Sequence, residues 1–201
     1  HNMLTSFEAH FEEEDVWVDL SYNNFTSFTI PPSSTYPYYS FDLSHNQLTS
    51  LTIDNADFNQ FIASHNNLAS FQVIGSAFIQ DYADFSNNLF TDLDLSSIGF
   101  DDESVIRLGN NLVDKVTFGE QSPGNIGYTT NNTSLDIGNF TRWRDCFPGN
   151  RGNVSIQDSP NLNYFTMKNG IGHGFTTCNE GGDIFQITTL NLTISNCPNL
   201  A

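Results

Sequence analysis

One short sequence pattern recurs along the chain and constrains the fold more than any other feature. Its clearest copy, FDLSHNQLTSLTI, occupies residues 41–53, and similar copies occupy 18–30 (VDLSYNNFTSFTI) and 61–73 (FIASHNNLASFQV). Two further copies, around Asn88 and Asn111, keep the same spacing of apolar residues. Units repeated about every 20 residues are too small to bury their own apolar side chains, so they must stack on their neighbours.

Each copy can be numbered from one asparagine, which we take as position 0. Apolar residues lie at −5 and −3 and again at +2, +5 and +7. Apolar residues two apart predict a short strand with one buried face. The asparagine turns the chain inward, and its buried amide must find hydrogen-bond partners, which stacked copies can supply to each other. The predicted asparagine ladder comprises Asn2, Asn23, Asn46, Asn66, Asn88 and Asn111.

This pattern resembles the leucine-rich repeat family, whose units carry L-x-x-L-x-L-x-x-N/C-x-L. The resemblance implies a solenoid of the secreted or cell-surface type, with one parallel sheet on its concave side. It also implies a recognition, scaffold or adhesion role, usually without catalysis. Because Cys can replace the asparagine in this family, the resemblance adds Cys197 to the ladder. The chain departs from the family in its 18 Phe residues and in back segments that are extended rather than helical.

We therefore expect a mainly β solenoid of about eight to nine turns with little helix. Residues 1–118 form the regular part, and 119–201 form an irregular part with an inserted loop at about 168–189. Within the irregular part, a polar link at 119–133 and a strand at 135–137 are expected, with Asp136 on the same face as the earlier strands. No capping sequence is recognisable at either end, which favours a segment of a longer array or copies stacked end to end.

The charge of the chain restricts its partners. There are 6 basic and 23 acidic residues, which give a formal net charge of −17. Such a field repels nucleic acids and disfavours insertion at anionic membranes. Together with the polar Ser, Thr and Asn content, it favours an extracellular or cell-surface glycoprotein. Candidate glycosylation sequons, no more numerous than chance gives at this composition, begin at Asn24, Asn131, Asn132, Asn139, Asn153 and Asn191.

The cysteine pattern predicts a disulfide rather than catalysis. With Cys197 assigned to the ladder, Cys146 and Cys178 remain as a candidate disulfide that would pin the inserted loop in an oxidising compartment. Free thiols in a reducing compartment are the alternative. His173 near Cys178 lacks an orienting group, and neither C-x-x-C nor G-x-S-x-G occurs, so we expect no enzyme.

Clusters of carboxylates precede two of the predicted strands. They form a solvated edge that prevents wrong strand pairing, or they bind calcium. The spacing of known calcium loops is missing, so calcium is the lesser alternative and no cofactor is expected. The residues are Glu12, Glu13, Glu14, Asp15, Asp101, Asp102 and Glu103.

The exposed face of the predicted sheet supplies the candidate binding residues. Equal positions of successive turns lie about 4.8 Å apart in a stack, so they form columns. The candidates are Asp19, Asp42, Asp84 and Arg107 at position −4, Ser21, Ser44, Ser64 and Ser86 at position −2, and Tyr22, His45 and His65 at position −1. Two neighbouring His side chains can bind a metal, but a third ligand is missing, so no metal is expected.

The sequence predicts a non-catalytic extracellular scaffold with two competing roles. One is a structural or assembly module, which forms fibres or filaments or belongs to a longer repeat protein. The other is a recognition or adhesion ectodomain that binds a protein or a glycan through the Asp and Ser columns. A solvated face without a ligand is weighed equally with a binding face, and a hydrolase is the distant alternative.

Overall fold

The computed structural model consists of short strands joined by turns. It describes residues 2–8, 16–32, 39–101, 104–113, 115–118, 125–128, 134–138, 152–157, 164–167, 190–195 and 197. No helix occurs among these residues, which confirms the predicted mainly β fold with little helix. Accordingly, the described ranges contain no helix long and apolar enough to span a membrane.

The strands have the following bounds in chain order. They are β1 (Trp17–Asp19), β2 (Ser27–Ile30), β3 (Tyr39–Asp42), β4 (Ser50–Asp54), β5 (Asp57–Ile62), β6 (Gln72–Ile74), β7 (Ala77–Asp84), β8 (Asp92–Leu95), β9 (Ile98–Phe100), β10 (Val105–Arg107), β11 (Lys115–Phe118), β12 (Asn125–Tyr128), β13 (Ser134–Gly138), β14 (Gly152–Gln157), β15 (Tyr164–Met167) and β16 (Leu190–Ser195).

These strands form three parallel sheets. The front sheet runs β1–β3–β5–β7–β10–β12–β14–β16, and β9 pairs with the beginning of β7. Two back sheets contain β2–β4–β6 and β8–β11–β13–β15. Because the chain passes repeatedly from front to back, the stacked coils form a β-solenoid of about four turns.

The back of the solenoid is extended, as the sequence predicts, and it is also hydrogen-bonded into parallel sheets. Strands β2 and β8 alternate exposed and buried residues along their length. Residues such as Thr29 and Ile30 favour this pleated, half-buried arrangement because β-branched side chains pack well on it. The back sheets are therefore additional to the single sheet that the resemblance implies.

The core lies between the front and back sheets and is filled mainly by aromatic and branched aliphatic side chains. Phe58 lies 4.8 Å from Phe61 between ring centroids, and Phe61 lies 5.6 Å from Phe85 in an edge-to-face contact. Such pairs add to the stabilisation that burial provides. In the unit around Asn66, Phe71 and Val73 pack against this core but are only partly buried.

The prediction for residues 119–138 is wrong. Strand β12 lies inside the predicted polar link, and its Ile126 pairs with Ile106 of the front sheet. Strand β13 belongs to the back, where Asp136 pairs with Lys115 of β11. The error arises because the pairs −5/−3 and +5/+7 share the same spacing of two, so Leu135 and Ile137 fit either the front or the back of a unit. Strand β14 is in the front sheet, and its Val154 pairs with Leu192 of β16.

Candidate binding face of the front sheet

A backbone turn follows each front strand of the regular part. The residue at position −1 has a positive φ in successive turns, with values of 54° at Tyr22, 54° at His45, 56° at His65, 56° at Asn87 and 54° at Asn110. This left-handed conformation is uncommon for residues other than Gly and Asn. It bends the chain so that the next residue, the ladder asparagine, enters the interior.

Each buried asparagine joins its own turn to the turn before it. The Asn46 Nδ2 donates to the carbonyl oxygen of Leu20 in the preceding turn at 3.0 Å, and to those of Leu43 and Ser44 in its own turn at 3.0 and 3.2 Å. Its Oδ1 accepts from the backbone N–H of Phe25 in the preceding turn at 3.2 Å. The amide is thus fully used, as a buried polar group requires.

The same bonding pattern recurs at Asn66, Asn88 and Asn111. The Asn23 Oδ1 accepts from the backbone N–H of Leu4 at 3.1 Å. Asn2 differs, because its side chain is exposed, so the prediction that it is a buried ladder member is wrong. Cys197 is half-buried and packs against the core.

The aspartates at position −4 are held by the turn that follows them. The Oδ1 atoms of Asp19, Asp42 and Asp84 accept from the backbone N–H two residues later, at 2.9, 2.8 and 2.9 Å. The hydroxyl of Ser21 also donates to the Asp19 Oδ1, and these two bonds lower the pKa of Asp19 below its usual value. The carboxylates are therefore fixed in orientation on the front face.

The serine column at position −2 does not form the exposed stripe of small groups that the sequence predicts. Ser44 is only 6% exposed and Ser64 only 5%, while Ser21 and Ser86 are half-buried. The left-handed residue at position −1 directly follows this column, and the chain bends inward there. The exposed face therefore consists mainly of positions −4 and −1, together with Trp17 and Tyr82 at position −6, whereas Ser40 at that position is buried.

Sequence reasoning missed position −6, where Trp17 and Tyr82 lie. Residues two apart on a strand point to the same face, so this signal was present in the sequence. The exposed face thus contains aromatic side chains beside the carboxylates. We call positions −6, −4 and −1 of the front sheet, from Trp17 to Asn110, the binding face.

Position −1 forms a stack of three rings in the first three turns. The rings of Tyr22 and His45 are 4.2 Å apart at an angle of 8°, and those of His45 and His65 are 4.1 Å apart at 22°. The Asn110 Nδ2 then donates to the Asn87 Oδ1 at 3.0 Å in the same column. Because the two imidazole rings are stacked face to face, their nitrogen atoms do not point toward a common site where a metal could bind. Among the residues with described positions, no group of three or more His, Cys, Asp and Glu could hold a metal.

The stack should make stability depend on pH. Burial lowers the pKa of His45, the electrostatic influence of the neighbouring His65 lowers it further, and Asp42 opposes both. Because the folded pKa lies below the unfolded value of about 6.5, the unfolded chain binds more protons in that range. Stability is therefore retained above about pH 6.5 and falls as the pH drops below it. Replacing His45 with Phe, which keeps an aromatic ring, should reduce this loss between about pH 7 and 5.

Denaturant unfolding of the wild-type chain and His45→Phe at both pH values measures this effect. An imidazole titration by NMR identifies which His has the lowered pKa. An equal loss of stability in both proteins would contradict the assignment to His45.

A second interaction joins positions −6 and −4. The Tyr82 hydroxyl donates to the Asp84 Oδ2 at 3.2 Å, and the Arg107 Cζ lies 5.6 Å from the centroid of the Tyr82 ring. Burial, and then the Asp84 charge, raises the pKa of Tyr82 to about 12, against the opposing effect of Arg107. Arg107 pairs with Asp84 in the register of β7 and β10 and is the first Lys or Arg in the chain.

Several predicted sites lie outside the described residues. They are Asn131, Asn132, Asn139, Cys146, Cys178, the acidic residues Glu12, Glu13, Glu14, Asp15, Asp102 and Glu103, and the inserted loop at 168–189. Among the remaining sequons, the Asn24 Oδ1 accepts from the Gln47 Nε2 at 3.2 Å. Asn153 and Asn191 pair with each other in β14 and β16.

Comparison with known proteins does not identify a family. No family model matches the chain, and neither a curated protein nor a solved structure matches it. The resemblance to leucine-rich repeats therefore depends on the chain's own sequence pattern.

Proposed function

We propose that this chain is a non-catalytic scaffold of the leucine-rich repeat type, with about eight to nine turns. It acts outside the cell or at the cell surface and recognises a protein or glycan partner through the binding face. The observation that carries this proposal is the fixed arrangement of exposed groups on the front sheet. Aromatic side chains and carboxylates stand there in columns that the backbone spaces regularly.

The fixed arrangement lowers the cost of binding. The Asp42 carboxylate is already oriented by its bond to the Ser44 N–H, and His45 is held between Tyr22 and His65. Groups that are ordered before a partner arrives lose less conformational entropy on binding.

The composition of the face also supports recognition. Trp17 is 59% exposed and Tyr22 is 44% exposed, although both are large aromatic residues. Aromatic residues are enriched at the energetically important positions of protein interfaces. The assembly or filament role stays a prediction, because the described residues offer no observation that favours it over recognition.

A charge reversal with a matched control tests the proposal. Asp42 on the front sheet and Asp94 on the back both belong to an Asp-Leu-Ser sequence, and each Oδ1 accepts from the N–H of the serine. The change to Lys therefore removes the same local bond at both places. Only Asp42→Lys alters the binding face.

The wild-type chain and the two variants are immobilised and incubated with extracellular proteins of the source organism, and captured proteins are identified by crosslinking and mass spectrometry. Binding of the same three proteins to a glycan array tests for a glycan partner. We expect a partner that Asp94→Lys retains and Asp42→Lys loses by about tenfold or more. Equal capture by all three proteins, or equal loss in both variants with folding intact, would contradict recognition through this face.

A further inference from the structure

The front sheet carries the same pair of residues at two places. Position −6 is aromatic and position −4 is aspartate in both β1, with Trp17 and Asp19, and β7, with Tyr82 and Asp84. Among the turns with described side chains, these two combine an aromatic residue and a carboxylate in this way. The two locations differ in the residue at position −4 of the next front strand, which is Asp42 beside β1 and Arg107 beside β7.

At the β7 location, the chain supplies its own cation. The register puts Arg107 beside Asp84, and its guanidinium lies over the Tyr82 ring at 5.6 Å from the centroid. The Tyr82 hydroxyl donates to the Asp84 Oδ2 at 3.2 Å. An aromatic face and a carboxylate together attract a guanidinium through cation–π and charge interactions.

At the β1 location, the position equivalent to Arg107 holds an acidic residue instead. The register puts Asp42 beside Asp19, in the position that Arg107 holds beside Asp84, and Trp17 is 59% exposed. The Oδ1 atoms of Asp19 and Asp42 accept from their own turns, whereas no described residue donates to either Oδ2. The described Lys and Arg side chains are engaged elsewhere, Arg107 at Tyr82 and Lys115 with Asp92 on the back.

We infer that Trp17, Asp19 and Asp42 bind an arginine side chain of a basic protein partner, in the manner in which Arg107 packs on Tyr82. This inference rests on the proposed recognition function and names its partner class. Arginine suits the site better than lysine, because its planar guanidinium stacks on an aromatic ring and bonds to carboxylates through paired donors. The net charge of −17 attracts such a partner from a distance.

An eight-residue arginine peptide is the ligand for the test, with an eight-residue glutamate peptide as the negative control. Binding to the full chain is measured by calorimetry at physiological salt. Trp17→Ala and Asp42→Asn should each weaken binding of the arginine peptide about tenfold. Asp94→Asn, on the back, should leave it unchanged. Trp17→Ala removes no charge, so unchanged binding by this variant would show attraction by net charge alone and overturn the inference.

Two reciprocal variants test the analogy with Arg107. Asp42→Arg puts a guanidinium beside Asp19, so it should occupy the Trp17 site and abolish peptide binding there. Arg107→Ala exposes Tyr82 and Asp84, so the chain should bind a second peptide. Thermal unfolding of each variant establishes that it is folded. Continued binding by folded Asp42→Arg, or a single peptide bound to folded Arg107→Ala, would contradict the analogy.

The natural partner separates failure of this inference from failure of the proposed function. If Asp42→Lys loses the partner but Trp17→Ala retains it, recognition through the face holds and the arginine site is wrong. If both variants retain the partner, the proposed function itself is wrong.

Discussion

Replacing Asn66 with alanine should destabilise the fold by about 3–5 kcal/mol, more than most single substitutions. The Asn66 Nδ2 donates to the carbonyl oxygens of Leu43, Ala63 and Ser64 at 3.0, 3.2 and 3.2 Å. Its Oδ1 accepts from the backbone N–H of Leu48 at 3.0 Å, and Leu48 is fully buried. Alanine would leave this N–H and the carbonyl oxygens without the amide in a place that water does not reach.

Asn67 provides the matched control because it is the neighbouring residue, has the same side chain and is exposed. Asn67→Ala should change stability by less than about 0.5 kcal/mol. Urea unfolding of the two variants and the wild-type chain measures both effects. Equal stability of the two variants would mean that the ladder does not hold successive turns together.

Replacing Phe61 with alanine should cost about 3–5 kcal/mol through the cavity that it leaves. The Phe61 ring is fully buried and contacts the rings of Phe58 and Phe85. Its partner in the next front strand is Ala83, whose small side chain cannot fill the space. The backbone of Phe61 is hydrogen-bonded into the sheet between β3 and β7, which limits how far the surroundings can collapse.

Phe71 serves as the comparison because it loses the same atoms from a partly buried position. Its ring stacks on Phe85 with centroids 5.4 Å apart, but it lies at the margin of the core. Phe71→Ala should therefore cost about half as much as Phe61→Ala, since part of the vacated space is open to water. Thermal or urea unfolding decides between them, and a larger loss for Phe71→Ala would disprove the assigned core.

The sequence predicts the fold well wherever a unit contains its asparagine. Around Asn46 and Asn66, one polar residue at a fixed place among the apolar residues determines which side chains are buried and which strands pair. Between residues 119 and 138 the prediction starts from the wrong strand. Ile126 pairs with Ile106, which makes Asn131 the residue at position 0, but Leu135 and Ile137 are matched to the front sheet instead of the back. The regular spacing thus predicts strands, whereas the buried polar residue determines their register.

The candidate face was harder to predict because it depends on the backbone turn. A strand continued straight through position −2 would expose Ser44, but the left-handed residue His45 follows it and the chain bends inward. Nothing in the residue type of Tyr22 indicates a positive φ, although His and Asn, which occupy position −1 in the later turns, are enriched in that conformation. Only the pairing of the strands shows that Asp42 lies beside Asp19 and that Arg107 lies beside Asp84.

The ladder also bears on how such a chain changes length during evolution. Each asparagine bonds only to its own turn and the one before it, so duplicating the gene segment for one whole unit would reproduce every bond at the new junction. A duplication of a partial unit would misplace the asparagine and leave amides without partners. The spacing from Asn46 to Asn66 is shorter than that from Asn23 to Asn46, and the links between the strands absorb the difference. The number of repeats can therefore change by whole units, and the links between the strands can differ in length from one unit to the next.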